Sequence, residues 1–176
     1  THHLSSAGLG TMGFGLPAAI GAQLSNPGAT VVCVSGDGSI QMNLQELATI
    51  AREKLPIKIV LLDNQALGMV RQWQELFFQE RYSAVDLSDN PDFGLIAQAY
   101  RIPSLKLDAR ADQERVLAEF LAIDGPAFLH VAIDQKANVW PLVPPNKSNT
   151  EMLDAPAQAE AVAHDDSREF VHALPT

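Results

Sequence analysis

Two short runs that are apolar at almost every position constrain this chain more than any other feature: Thr30–Ser35, containing Val31-Val32-Cys33-Val34, and Ile57–Leu62. A strand with one wet face alternates apolar and polar residues. A strand apolar throughout is instead covered on both faces, as in parallel sheets packed between helices. Ala127–Ile133, entered through the Asp124-Gly125-Pro126 turn, is a third such run, and Ile102–Leu107 is a weaker fourth. Helical spacing predicts Met12–Leu24, Leu44–Glu53, Met69–Phe78, Pro91–Tyr100 and Asp112–Ala122, with Asn90 as the N-cap of the fourth and Asn26-Pro27-Gly28 ending the first. Strands alternating with helices of these lengths imply βαβ units. The expected fold is α/β: an open, mainly parallel sheet with helices on both faces.

Composition narrows the function. The chain has 176 residues, 47% of them apolar, which suits one domain with a full core. It opens on Thr1 rather than Met, which suggests an excised fragment or a processed product. No apolar run approaches the roughly 18–20 residues of a membrane span, and no basic-then-apolar signal segment opens the chain. The one cysteine, Cys33, excludes an internal disulfide and reads as an inert core thiol, so a cytoplasmic protein is expected. The net charge of -9, with no Lys/Arg cluster, argues against nucleic-acid binding. Residues 154–176 read as an acidic, weakly ordered tail after a domain spanning 1–153. The segment Trp140-Pro141-Leu142-Val143-Pro144-Pro145 reads as extended and proline-bound.

In an open parallel sheet, ligands bind beyond the carboxyl ends of the strands. The first strand runs into Gly36-Asp37-Gly38-Ser39 and the second into Asp63-Asn64, with Asp37 and Asn64 27 residues apart, one crossover. A carboxylate and a carboxamide oxygen at neighbouring strand ends suit a hard cation such as Mg²⁺. Phosphate oxygens and water would complete its octahedral shell. The amides of Gly38 and Ser39, at the start of a helix, could donate to phosphate. Gly-Asp-Gly alone is a common turn and Asp-Asn a common strand end; only the pair at crossover spacing is specific. His130, in an apolar strand, reads as a satisfied core histidine. His2 and His3 read as uninvolved, and His164 and His172 fall in the tail.

Gly36-Asp37-Gly38-Ser39 followed by Asp63-Asn64 resembles the thiamine-diphosphate motif, in which Gly-Asp-Gly is followed by Asn-Asn. Asp63 departs from it, while Asn64 keeps the ligand position. Ser6–Ala19, Gly68–Gln74, Asn90-Pro91-Asp92-Phe93 and Asn138–Pro145 are similar to acetohydroxyacid synthase (acetolactate synthase) large subunits, over about residues 5–153. The resemblance implies a diphosphate-binding domain, C-terminal in a larger enzyme and inactive alone. Asp37, Asn64 and the Ala66 carbonyl would hold Mg²⁺, and Gly38, Ser39, Gly68 and Met69 would face the diphosphate. Gly10 and Met12 would meet the aminopyrimidine and the bent cofactor.

Met69 and Trp73 share a helical face; a core stripe is the alternative to a substrate channel, and the polar Arg71-Gln72 pair beside them reads as unsuited to a dry core. No catalytic acid or base is assigned, because the family's glutamate lies in another domain. The whole enzyme would join a two-carbon unit from pyruvate to a second small 2-ketoacid in branched-chain amino-acid biosynthesis. It would carry FAD, act as at least a homodimer, and have a possible regulatory subunit. The alternatives are a pyruvate oxidase, glyoxylate carboligase or benzoylformate decarboxylase type of enzyme, which Trp73 argues against, or a non-catalytic α/β assembly module.

Overall fold

The computed structural model describes residues 2–156. Four strands form one parallel sheet in the order β1-β2-β4-β3, with β1 at Val32–Gly36, β2 at Lys58–Asp63, β3 at Ser104–Leu107 and β4 at Ala127–Ala132. The helices are α1 (Gly15–Ser25), α2 (Asp37–Gln41), α3 (Glu46–Arg52), α4 (Gly68–Phe77), α5 (Phe93–Ala99) and α6 (Gln113–Ala122). The chain divides into two compact units, Thr1–Ala137 and Asn138–Thr176. The acidic tail expected from residue 154 lies, from 157 onward, outside the described residues.

Helices pack on both faces of the sheet, as the apolar runs predicted. On one face Cys33, Ile59, Leu61 and Phe128 bury against Leu16 and Ile20 of α1, Leu47 and Ile50 of α3, and Phe93 and Ala97 of α5. On the other, Ala127 and Leu129 pack with Val116 and Phe120 of α6, flanked by half-buried Val60, Leu105 and Val131. Fully burying a side chain such as Phe120 stabilises by about 2–3 kcal/mol. The covering is incomplete. The expectation that the first strand is enclosed on both sides fails for β1, where Val32 and Val34 are 50% and 59% exposed. The reason is that α6 contacts β3 and β4 rather than the β1 edge.

Local chemistry sets the element ends. Asn26 closes α1 by donating its side-chain N–H to the Ala22 carbonyl at 3.0 Å. The buried Lys58 ammonium donates to the carbonyls of Ile123 and of Gly125, tying down the chain just past α6. Burial pulls that ammonium below its ordinary pKa, with Asp124 opposing. The N-cap of α5 is Asp92, whose carboxylate accepts from the Leu95 amide at 2.9 Å. Asn90, the cap expected from sequence, has its carboxamide engaged elsewhere. The helix expected to open near Gly38 and Ser39 is the short α2, whose five residues are too few for a periodicity to mark its extent.

In the second unit Leu142 and Leu153 form an antiparallel bridge, with N–H···O distances of 2.9 and 2.7 Å. A capping box between Ser148 and Glu151 closes a single 3₁₀ turn, and the Trp140–Pro141 peptide is cis. Among the described residues no helix is long and apolar enough to cross a membrane.

Candidate functional site

The register pairs Gly36 of β1 with Leu62 of β2, so the residues that follow, Asp37 and Asp63-Asn64, emerge side by side at the carboxyl edge of the sheet. Asp37 begins α2 and is only 2% exposed. Its carboxylate accepts from the Gly38 amide and, at 2.8 Å, from Asn90 Nδ2. Burial, above all, raises the Asp37 pKa, and neighbouring Asp63 adds to it, while the bonds from Asn90 and Gly38 oppose the rise. Among the described residues no basic side chain pairs with Asp37. A buried carboxylate in that position is costly unless a cation or a proton joins it.

Asp63 has a different fate. Burial pushes its pKa up, but bonds from His130, the Gln65 amide and Asp37, with the His130 charge, outweigh this and hold it below the ordinary carboxylate range. His130 Nε2 lies 2.8 Å from Asp63 Oδ2, and Phe93 meets the imidazole edge-on at a centroid distance of 5.9 Å. His130 is a satisfied histidine, as expected, but its partner is the residue that departs from the thiamine-diphosphate motif.

The loop after β2 is stapled by local bonds. Gln65 takes a left-handed backbone, φ 55°, and its amide donates to Asp63 Oδ1 at 3.0 Å. The Ala66 amide donates to Asn64 Oδ1 at 3.2 Å. Buried Ala66 bridges Asp86, and the amides of Leu67 and Leu87 bond across to Val85 and Gln65. Gly68 opens α4 against Asn64: a Cβ there would lie 2.8 Å from Asn64 Nδ2.

Residues far apart in sequence meet here. A Cβ on Gly38 would lie 2.9 Å from the Met12 methyl and 2.7 Å from Leu67 Cδ2, so Met12 is brought against the Gly-Asp-Gly turn. The Gly13 amide donates to Ser39 Oγ at 2.9 Å, and Asn43 Nδ2 donates to the Gly13 carbonyl at 2.8 Å. Gly10 sits in an exposed turn at φ 61°, its amide on the Ser6 carbonyl. Asn90, which sequence reasoning placed in a helix cap, is the functional-site residue it missed. Its partners Asp37 and Asp63 are 53 and 27 residues away, and no local signal marks such contacts.

Helix α4 is inside out. Arg71 and Gln72 are buried at 8% and 1%, while Met69 and Val70 are 49% and 46% exposed. This corrects the expectation that the Arg71-Gln72 pair stays out of the interior. Arg71 is accommodated by Glu75 at 2.8 Å and the Lys136 carbonyl at 3.3 Å. Met69, Val70 and Trp73 on the apolar side of α4, with Phe78 just past its end, line an open groove of about 550 Å³. Trp73 and Phe77 meet edge-on at 5.5 Å.

The donor set at the sheet edge fits a hard divalent cation. It offers a buried carboxylate, a carboxamide and a loop of backbone carbonyls, all oxygen ligands. Among the described residues no three His, Cys, Asp or Glu gather into a metal cage.

Residues 1–131 match the family model of the thiamine pyrophosphate enzyme, C-terminal TPP binding domain. The acetolactate synthase isozyme 2 large subunit of Escherichia coli (strain K12) is 61% identical over 151 residues, covering 86% of this chain and 28% of that protein. The acetolactate synthase large subunit of Porphyra purpurea is 49% identical over 153 residues, 86% of this chain and 26% of that protein. Among solved structures, a thiamine diphosphate-dependent 4-hydroxybenzoylformate decarboxylase of Rhodococcus jostii RHA1 superposes with a TM-score of 0.65 at 29% identity, over 72% of this chain and 24% of that one. The chain thus spans about a quarter of the length of these relatives. With a parallel sheet that delivers Asp37 and Asn64 to one edge and a family match over most of its length, the chain belongs to the thiamine pyrophosphate enzymes, as their C-terminal TPP-binding domain.

Proposed function

We propose that this domain is the diphosphate-binding part of an acetolactate synthase large subunit, which joins a two-carbon unit from pyruvate to pyruvate or 2-oxobutanoate. The observation that carries the reading is the pairing of Gly36 with Leu62, which brings Asp37 and Asn64 out at adjacent strand ends. Asp37 and Asn64, with the Ala66 carbonyl, would hold Mg²⁺. Gly38, Ser39, Gly68 and Met69 would offer backbone amides to the diphosphate. Gly10 and Met12 would border the pyrimidine. The thiamine cofactor supplies the carbanion chemistry, and the chain supplies binding, orientation and a dry pocket.

The exposed apolar side of α4 supports a substrate-channel role for Met69 and Trp73, since the groove they line is open and apolar. The 61% identity to an acetolactate synthase large subunit, against 29% to the decarboxylase, favours the synthase over the decarboxylase type. FAD, the second subunit that completes the pocket and any regulatory subunit belong to the parts of the enzyme outside this domain.

The test is calorimetry of the full-length protein with thiamine diphosphate and MgCl₂, paired with a product assay. Metal-dependent binding and acetolactate from pyruvate are expected, and Asp37→Ala should abolish both. Release of an aldehyde from benzoylformate without carboligation would favour the decarboxylase type. No cofactor binding at all would leave the assembly-module reading.

A further inference from the structure

We propose that Asn90 is a positioning residue that aims the Asp37 carboxylate at the divalent cation, with Gln41 setting its orientation; the proposal rests on the functional reading above. Asn90 Nδ2 donates to Asp37 Oδ2 at 2.8 Å and to Asp63 Oδ1 at 3.3 Å, so one amide group bridges two buried carboxylates. Its oxygen accepts from Gln41 Nε2 at 2.9 Å, and the same Gln41 nitrogen donates to the Asp37 carbonyl at 3.3 Å. The arrangement permits one orientation of the Asn90 amide. Flipping it would set its oxygen against two carboxylates and its N–H groups against the Gln41 N–H groups.

The backbone holds the bridge in place. The Asn90 amide bonds the Leu87 carbonyl at 3.0 Å, and Leu87 is itself paired with Gln65 in the loop after β2. On the far side Asp63 is anchored by His130 and by the Gln65 amide. Asn90 therefore takes up Oδ2 of Asp37 from a fixed point. A bare carboxylate on a single rotatable bond would swing, and Mg²⁺ tolerates little departure from octahedral geometry.

The residue type matters as much as the contact. A lysine or arginine at position 90 would neutralise Asp37 and compete with the cation. The amide of asparagine orients the carboxylate and leaves its charge for the metal. Groups that steer metal ligands from the second layer in this manner typically change affinity by about 10- to 100-fold when removed.

The experiment titrates MgCl₂, and in parallel CaCl₂, into the full-length protein at saturating thiamine diphosphate, with heat of binding as the readout. Asn90→Ala should raise the half-saturating Mg²⁺ concentration by roughly 10- to 100-fold. The Ca²⁺ value should rise much less, because Ca²⁺ accepts irregular geometry. General damage to the fold would weaken both ions together. Gln41→Ala, at an exposed position, should shift Mg²⁺ in the same direction by a few-fold without lowering the unfolding temperature, and it carries the test if Asn90→Ala does not fold. Unchanged Mg²⁺ dependence in a folded Asn90→Ala, or equal shifts for both ions, overturns the proposal while leaving the functional reading intact. Absence of metal-dependent binding in the unsubstituted protein overturns the reading and the proposal together.

Discussion

Cys33 shows how much of a residue's chemistry is decided by its place in the sheet. It lies in β1 on the face covered by α1 and α3, 4% exposed, and burial pushes its thiol from near 9 up to about 11. Iodoacetamide at pH 8 should leave the folded protein unlabelled and label it in urea, a difference read by mass spectrometry. The sign of the pH effect follows. The unfolded thiol ionises first, so the stabilisation from a neutral Cys33 is complete below pH 9. It is lost as pH rises through 11, a change on the order of 2–3 kcal/mol in denaturant titrations. The inert thiol was legible in its apolar neighbours, and so was the place of Asp37 and Asn64 at adjacent strand ends, because strand ends in βαβ units are predictable places. The role of Asn90 was not. Pro91 beside it suggested a helix start, and nothing within a few residues reveals that its amide serves Asp37 across 53 positions.

At the scale of elements, helix α5 illustrates competition between neighbouring polar residues for one cap. Asp92 won it through the Leu95 amide, leaving Asn90 free for the carboxylates. Asp92→Ala should cost about 1 kcal/mol in denaturant unfolding, the usual value of a lost N-cap. Mg²⁺ dependence should stay unchanged, which separates capping from positioning. Helix α4 marks the limit of periodicity as a guide. The spacing of Met69, Trp73 and Leu76 does put them on one side of a helix, but spacing is silent on which side faces in. Arg71 is buried here with its two terminal nitrogens on Glu75 and the Lys136 carbonyl, contacts set by the tertiary fold. The four strands were readable from their apolar runs and flanking turns; their order, with β4 inserted between β2 and β3, was not.

Over the whole molecule, large apolar side chains remain exposed in two places. Val32 and Val34 on the open face of β1 and Met69, Val70, Phe77 and Phe78 along α4 are all more than a third exposed. Under the functional reading, the rest of the enzyme covers these surfaces. The isolated chain should self-associate with rising concentration in sedimentation velocity, and Val34→Lys should weaken that association. A strict monomer over a hundredfold concentration range would count against the reading. The two compact units carry a further consequence. The chain has two tryptophans, Trp73 before the boundary at Ala137 and Trp140 after it. Each indole is therefore a private fluorescent reporter: heating Trp140→Phe follows the melting of the first unit, and heating Trp73→Phe follows the second. Curves that part would mark two separate transitions; curves that coincide would mark one.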